Sequence, residues 1–112
     1  MPSQGDIVLI PVPFTDLSST RRRPVIVISN DGYHATTEDM VVVAMTSNPN
    51  VTPYSFVLTN ADLLAGSLNR PGTVRSDKIY TLSQKLVVKT FGRVRETVLD
   101  EISKRLGEVT QR

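Results

Sequence analysis

A chain of 112 residues, 39% of them hydrophobic, is long enough to bury a core without covalent staples, and its length predicts one domain over residues 1–112. With no cysteine there is no disulfide framework, thiolate metal site or thiol nucleophile, and a single histidine excludes an imidazole cluster. The net charge of +2 conceals an asymmetry: residues 70–95 carry seven cations and one carboxylate, and the remainder six cations and ten carboxylates.

A segregated basic stretch suits a polyanion, nucleic acid foremost, although a solvated cationic face reads the same way on charge alone. No apolar run approaches the length of a membrane span, and residues 1–4 lack signal-peptide character, so a soluble cytoplasmic protein is expected.

The β-branched run at 7–12 predicts a first strand, which Pro11 and Pro13 end or confine to an edge. Residues 14–22 are polar and hydroxyl-rich, hence a loop. Pro24 leads into a nearly continuous apolar run at 25–29, the mark of a buried strand. Asn30, Asp31 and Gly32 signal a turn, and 33–39 reads as a polar connection with His34 exposed. The third strand, 40–45, is the most hydrophobic run and stops where Thr46 and Ser47 take over. A fourth strand is expected at 54–58.

Residues 60–66 look like one capped helical turn, with Asn60 as cap and Gly66 as stop. After a turn at 69–72 comes the fifth strand, 73–82, and 83–87 offers another short helical turn. The one long helix runs from 96 to about 106. Val98, Leu99, Ile102, Leu106 and Val109 share a face, and Asp100–Lys104 and Glu101–Arg105 are spaced as i,i+4 pairs. Its acidic start and basic end complement the macrodipole, so its role is packing. Five strands and a terminal helix imply a mainly β fold, a small curled sheet or barrel with the helix laid across it.

Chemistry can come only from polar groups at strand ends and within strand five. A period of two places Arg75 and Asp77 on one face of that strand. Such a pair is either a surface salt bridge or a cation that holds an anionic substrate beside a carboxylate that moves a proton. Arg23, fixed against Pro24, and Thr46 and Ser47 are the other candidates. For the two hydroxyls the plain alternative is bonding to local backbone.

The segments Gly5-Asp6-Ile7-Val8, Pro13-Phe14-Thr15-Asp16 and Arg22-Arg23-Pro24-Val25-Ile26-Val27-Ile28-Ser29 are followed in order by three more. These are Val43-Ala44-Met45-Thr46-Ser47, Thr73-Val74-Arg75-Ser76-Asp77-Lys78-Ile79-Tyr80-Thr81-Leu82 and Phe91-Gly92-Arg93-Val94. Together they resemble the PemK/MazF/Kid toxins of type II toxin–antitoxin systems over nearly the whole chain. The resemblance implies an SH3-like barrel, a homodimer, no cofactor or metal, and cleavage of single-stranded RNA restrained by a cognate antitoxin protein. It further implies that a base removes the 2′-hydroxyl proton and a 2′,3′-cyclic phosphate forms. By that likeness Asp77 is the general base, Arg75 and Arg23 stabilise the phosphate, and Thr46, Ser47 and Lys78 contact substrate. The likeness fails at 14–22, which has Asp16 and hydroxyls where relatives carry a histidine or glutamate, so no second acid–base group is assigned. Two alternatives stand beside this one: a CcdB-like gyrase-binding toxin, disfavoured by a polar C-terminal end, and a catalytically silent nucleic-acid-binding relative.

Overall fold

Seven strands, two more than the sequence suggests, form one antiparallel sheet in the computed structural model, which describes residues 1–11, 22–48 and 52–112. In chain order these are β1 (Asp6–Pro11), β2 (Arg22–Val27), β3 (Asp39–Thr46), β4 (Ser55–Leu58), β5 (Leu63–Gly66), β6 (Gly72–Ser83) and β7 (Lys89–Val94). Two helices, α1 (Asp31–Thr36) and α2 (Glu96–Val109), accompany them. The sheet order is β4-β6-β3-β2-β1-β7-β5. The expected loop at 14–22 lies outside the described residues except for Arg22.

The near-continuous apolar runs of β1, β2 and β3 arise because these central strands bury both faces. Ile7, Ile26, Val43, Met45 and Val74 join Val98 and Ile102 of α2 in one core. Val8, Ile10, Val25, Val27, Met40 and Val42 form the second core, closed over by Tyr80, Leu82 and Leu86. Pro24 sits inside β2, but the β2–β3 ladder begins only at Val25↔Ala44, so its missing N–H interrupts nothing on that side.

Several local expectations are corrected. His34 is buried at 3% exposure, because Asn30 caps α1 instead of making a bare turn (its Oδ1 accepts from Tyr33 N at 2.9 Å). The helix turns the imidazole inward, where Nε2 lies 2.6 Å from Ser29 Oγ, which itself accepts from Val41 N at 2.8 Å. The turn at 60–66 is a short 3-10 turn over Asn60–Asp62 that leads into β5. Its cap is Thr59, whose N–H donates to Asp62 Oδ2 at 2.8 Å. Asn60 instead clasps the β5–β6 loop, accepting from Leu68 N at 2.7 Å and donating to Leu68 O at 3.3 Å. Gly66 ends β5 at φ +79°, so close to β7 that a Cβ would lie 2.1 Å from the Phe91 carbonyl oxygen; only glycine fits there. A second 3-10 turn, Gln84–Leu86, falls where the sequence placed one.

The long helix continues to Val109, which is exposed and not part of the buried stripe. Of its two expected ion pairs, Glu101–Arg105 forms at 2.6 Å, and Asp100 and Lys104 make none among the described residues. Arg105 also donates to Ser55 O at 3.0 Å and lies 5.3 Å from the Phe56 ring centre, fastening α2 to edge strand β4. No helix among the described residues is long and apolar enough to cross a membrane.

Candidate active site

β6 is the longest of the described strands and carries the candidate residues Arg75 and Asp77. Its first part is flanked by two strands, so Arg75 lies opposite Ala44 of β3 and Ser55 of β4. The β3–β6 register then jumps: Ala44 faces Arg75, and Val43 faces Ile79. Ser76, Asp77 and Lys78 therefore form a three-residue bulge with no partners on β3. Bulges re-aim side chains and break strand alternation. Ala44 and Val42 share one face of β3, so their partners Arg75 and Tyr80 share one face of β6 although five residues separate them.

Inside the bulge the expected pair forms. Arg75 Nε donates to Asp77 Oδ1 at 2.9 Å and Nη2 to Oδ2 at 2.8 Å, a bidentate contact with both side chains about a quarter to a third exposed. The bond to Arg75 holds the Asp77 carboxyl below the usual carboxylate range against the opposing pull of desolvation, and Lys78 adds to the lowering. The same bond raises the Arg75 guanidinium, with desolvation opposing and Tyr80 contributing a smaller attraction. Two of the five guanidinium N–H groups are spent on Asp77, and among the described residues Nη1 makes no hydrogen bond. Ser76, between the two, is fully buried, and its hydroxyl has no hydrogen-bond partner among the described residues.

Arg23 has the strand parity of Val25, and Thr46 that of Ala44, so register puts both on the face that carries Arg75. Arg23 is exposed at the start of β2, and Ser47 and Lys78 are exposed as well. Among the described residues, Arg75 and Asp77 are the candidates joined by side-chain hydrogen bonds. The Thr46 hydroxyl accepts from Asn48 N at 3.1 Å, the local backbone bond that was the plain alternative for this residue. Tyr80 and the buried Ser76 escaped the sequence reading, because an odd spacing from Arg75 conceals Tyr80 until the bulge is known.

Thr46 and Ser47 also border a cleft of about 650 Å³ on the other side of β3's end. Leu9, Pro24, Met45 and Phe91 line it, and the β5–β6 loop walls it. Among the described residues no three His, Asp or Glu side chains come together as a metal site would require.

The chain matches the family model described as PemK-like, MazF-like toxin of type II toxin–antitoxin system over residues 3–110. Among solved structures, a MazE–MazF crystal form from Deinococcus radiodurans is 26% identical at a TM-score of 0.77, covering 96% of this chain and 94% of that one. An endoribonuclease from a mycobacterial species is 23% identical at 0.73, covering 96% and 88%. A structure of an endoribonuclease in complex with its cognate antitoxin, from a mycobacterial species, is 20% identical at 0.72, covering 96% and 93%. No curated protein matches the chain.

Proposed function

Because the chain belongs to the PemK-like, MazF-like toxin family of type II toxin–antitoxin systems, we propose that it is an endoribonuclease that cuts single-stranded RNA without a metal ion and is neutralised by a cognate antitoxin. The observation that carries this reading is the bidentate Arg75–Asp77 pair at an unpaired bulge, with no bond from Arg75 Nη1 among the described residues.

RNA supplies its own nucleophile. Asp77, ionised at neutral pH, takes the 2′-hydroxyl proton; the oxygen attacks the adjacent phosphorus, the 5′-oxygen leaves, and a 2′,3′-cyclic phosphate remains. A carboxylate held low in pKa is a weak base, and the substrate itself relieves that. A phosphodiester on the Nη1 edge shares the guanidinium charge, which weakens its hold on Asp77 and raises the carboxylate's proton affinity. Arg75 stays protonated throughout, since arginine does not release its proton near neutrality, and acts by stabilising charge at the phosphorus. Arg23, on the same face, supports the phosphate, while Thr46, Ser47 and Lys78 hold the strand. The working unit in this reading is a cytoplasmic homodimer with RNA running along both subunits.

The experiment is direct. Purified protein in EDTA is incubated with a single-stranded RNA and with the same RNA carrying a 2′-deoxy substitution at the cut site. The expected products of the first end in cyclic phosphate, and the second stays intact. Cutting that needs added magnesium, or that survives the 2′-deoxy substitution, refutes the proposed chemistry.

A further inference from the structure

Departure of the 5′-oxygen calls for a proton, and neither member of the pair can give one. The Arg75 guanidinium does not release its proton near neutrality, and the ionised Asp77 carboxylate has none to release. The bulge in β6 brings a third group to the same face. Tyr80 lies opposite Val42, two residues along β3 from Ala44, the partner of Arg75. The two side chains therefore leave one face of the sheet roughly 7 Å apart along the strand.

The ring of Tyr80 is held. It packs, partly buried, on the second core beside Leu82, Leu86 and Val87. Those three close over the same core with hydrocarbon alone, so burial does not by itself call for a phenol at position 80. The phenol stands near enough to Arg75 to act on the guanidinium charge, and by the same attraction that charge stabilises a phenolate formed there. A phenol carries a proton at neutral pH and can surrender it, which a guanidinium cannot and the aliphatic hydroxyls of Thr46 and Ser47 do far less readily.

We propose that Tyr80 is the general acid of the cleavage: its hydroxyl gives a proton to the departing 5′-oxygen while Asp77 takes one from the 2′-hydroxyl on the other side of the phosphorus. The assignment rests on the endoribonuclease reading. In the step the bond from the 2′-oxygen to phosphorus forms and the bond from phosphorus to the 5′-oxygen breaks. Its electron pair leaves on the 5′-oxygen, which the Tyr80 proton converts to a hydroxyl. Tyr80 is left as a phenolate beside Arg75 and Asp77 as a neutral acid. A water relays the proton from Asp77 to Tyr80 and restores both.

The test compares a single-stranded RNA with the same RNA carrying sulfur in place of the bridging 5′-oxygen at the cut, because a thiolate leaves without needing a proton. Tyr80→Phe removes only the hydroxyl and keeps the ring on the core, so it should melt within a few degrees of wild type by circular dichroism. On the ordinary RNA its kcat should fall by about 10²-fold or more. On the sulfur RNA it should match wild type. Asp77→Asn should stay impaired on both RNAs, because the 2′-hydroxyl still has to lose its proton. Lys78→Met removes the other proton donor at the bulge and should lose the same factor on both. Tyr80→Phe cutting ordinary RNA at the wild-type rate overturns the assignment and leaves the enzyme reading standing. So does an equal loss on both RNAs in a protein that melts as wild type does. Sulfur that restores Lys78→Met in place of Tyr80→Phe gives the acid role to Lys78. Wild type that cuts neither RNA overturns the enzyme reading, and the Tyr80 assignment falls with it.

Discussion

Asp77→Asn separates a working pair from an ornamental one, because the two roles predict effects of different size. The pair is bidentate at 2.8 and 2.9 Å, but both side chains retain solvent contact (23% and 30%), so its net contribution to folding is under about 1 kcal/mol. For a chain of this length that corresponds to a fall in Tm of no more than roughly 4–6 °C. Asparagine keeps the shape and can still accept one bond from Arg75, which reduces the loss further. As a proton acceptor it is inert, and removal of a general base costs about 10²–10⁴-fold in rate. The variant should therefore melt within a few degrees of wild type by circular dichroism and yet lose at least two orders of magnitude in kcat on a fluorogenic RNA. Arg75→Gln should lose a comparable amount, and the double variant should be little worse than the poorer single, as expected of groups that act as a unit. An Asp77→Asn protein that keeps more than a tenth of its activity refutes the assignment, whatever happens to Tm.

Two further outcomes follow from the bulge. Ser76→Ala removes a fully buried hydroxyl that has no hydrogen-bond partner among the described residues, so it should raise stability by up to about 1 kcal/mol in urea titration, where most buried substitutions lower it; a loss of that size would contradict the unpaired state. Because Arg75 holds Asp77 low, kcat/KM for wild type should stay flat as pH falls from 8 to 5 and drop only below the ordinary carboxylate value of about 3.9, as Asp77 protonates. In Arg75→Gln the weaker activity should fade at higher pH than in wild type, and an acid limb that does not move would mean that another group sets it. Linkage has the same sign: the pair's stabilisation is present above the unfolded carboxyl's pKa and is lost as pH falls through the folded value.

Much of the fold is legible because burial on both faces writes itself as continuous apolar runs, which mark β2 and β3, while the β-branched content of residues 7–12 marks β1. β5 and β7 are not so marked. Leu63–Gly66 is four residues long, with only Leu63 buried, and β7 contains Gly92 packed against β5 and a mixed pattern of exposure. Neither has a period for sequence analysis to detect; their pairing is a tertiary event. His34 failed for a related reason. A polar segment after Asn30-Asp31-Gly32 reads as a loop, and only the Asn30 cap and the Ser29 hydroxyl opposite make an inward-facing histidine acceptable.

The site was legible up to the bulge and no further. Alternation over residues 74–77 correctly puts Arg75 and Asp77 together, because i and i+2 need no knowledge of the neighbouring strands. From Ser76 onward the register with β3 slips by three residues, an odd number, so every assignment of face beyond it inverts. Extended from Arg75 at period two, the pattern would put Ile79 beside the pair and Tyr80 behind it. The structure reverses them, leaving Ile79 outward and bringing Tyr80 near enough to Arg75 to act on its charge. The same slip frees Asp77 from a cross-strand neighbour on β3, which keeps both of its oxygens available to Arg75. A regular strand would have kept the pair and lost the open ground around it. The irregularity that defeats the sequence pattern is thus what makes a salt bridge into a candidate phosphate site.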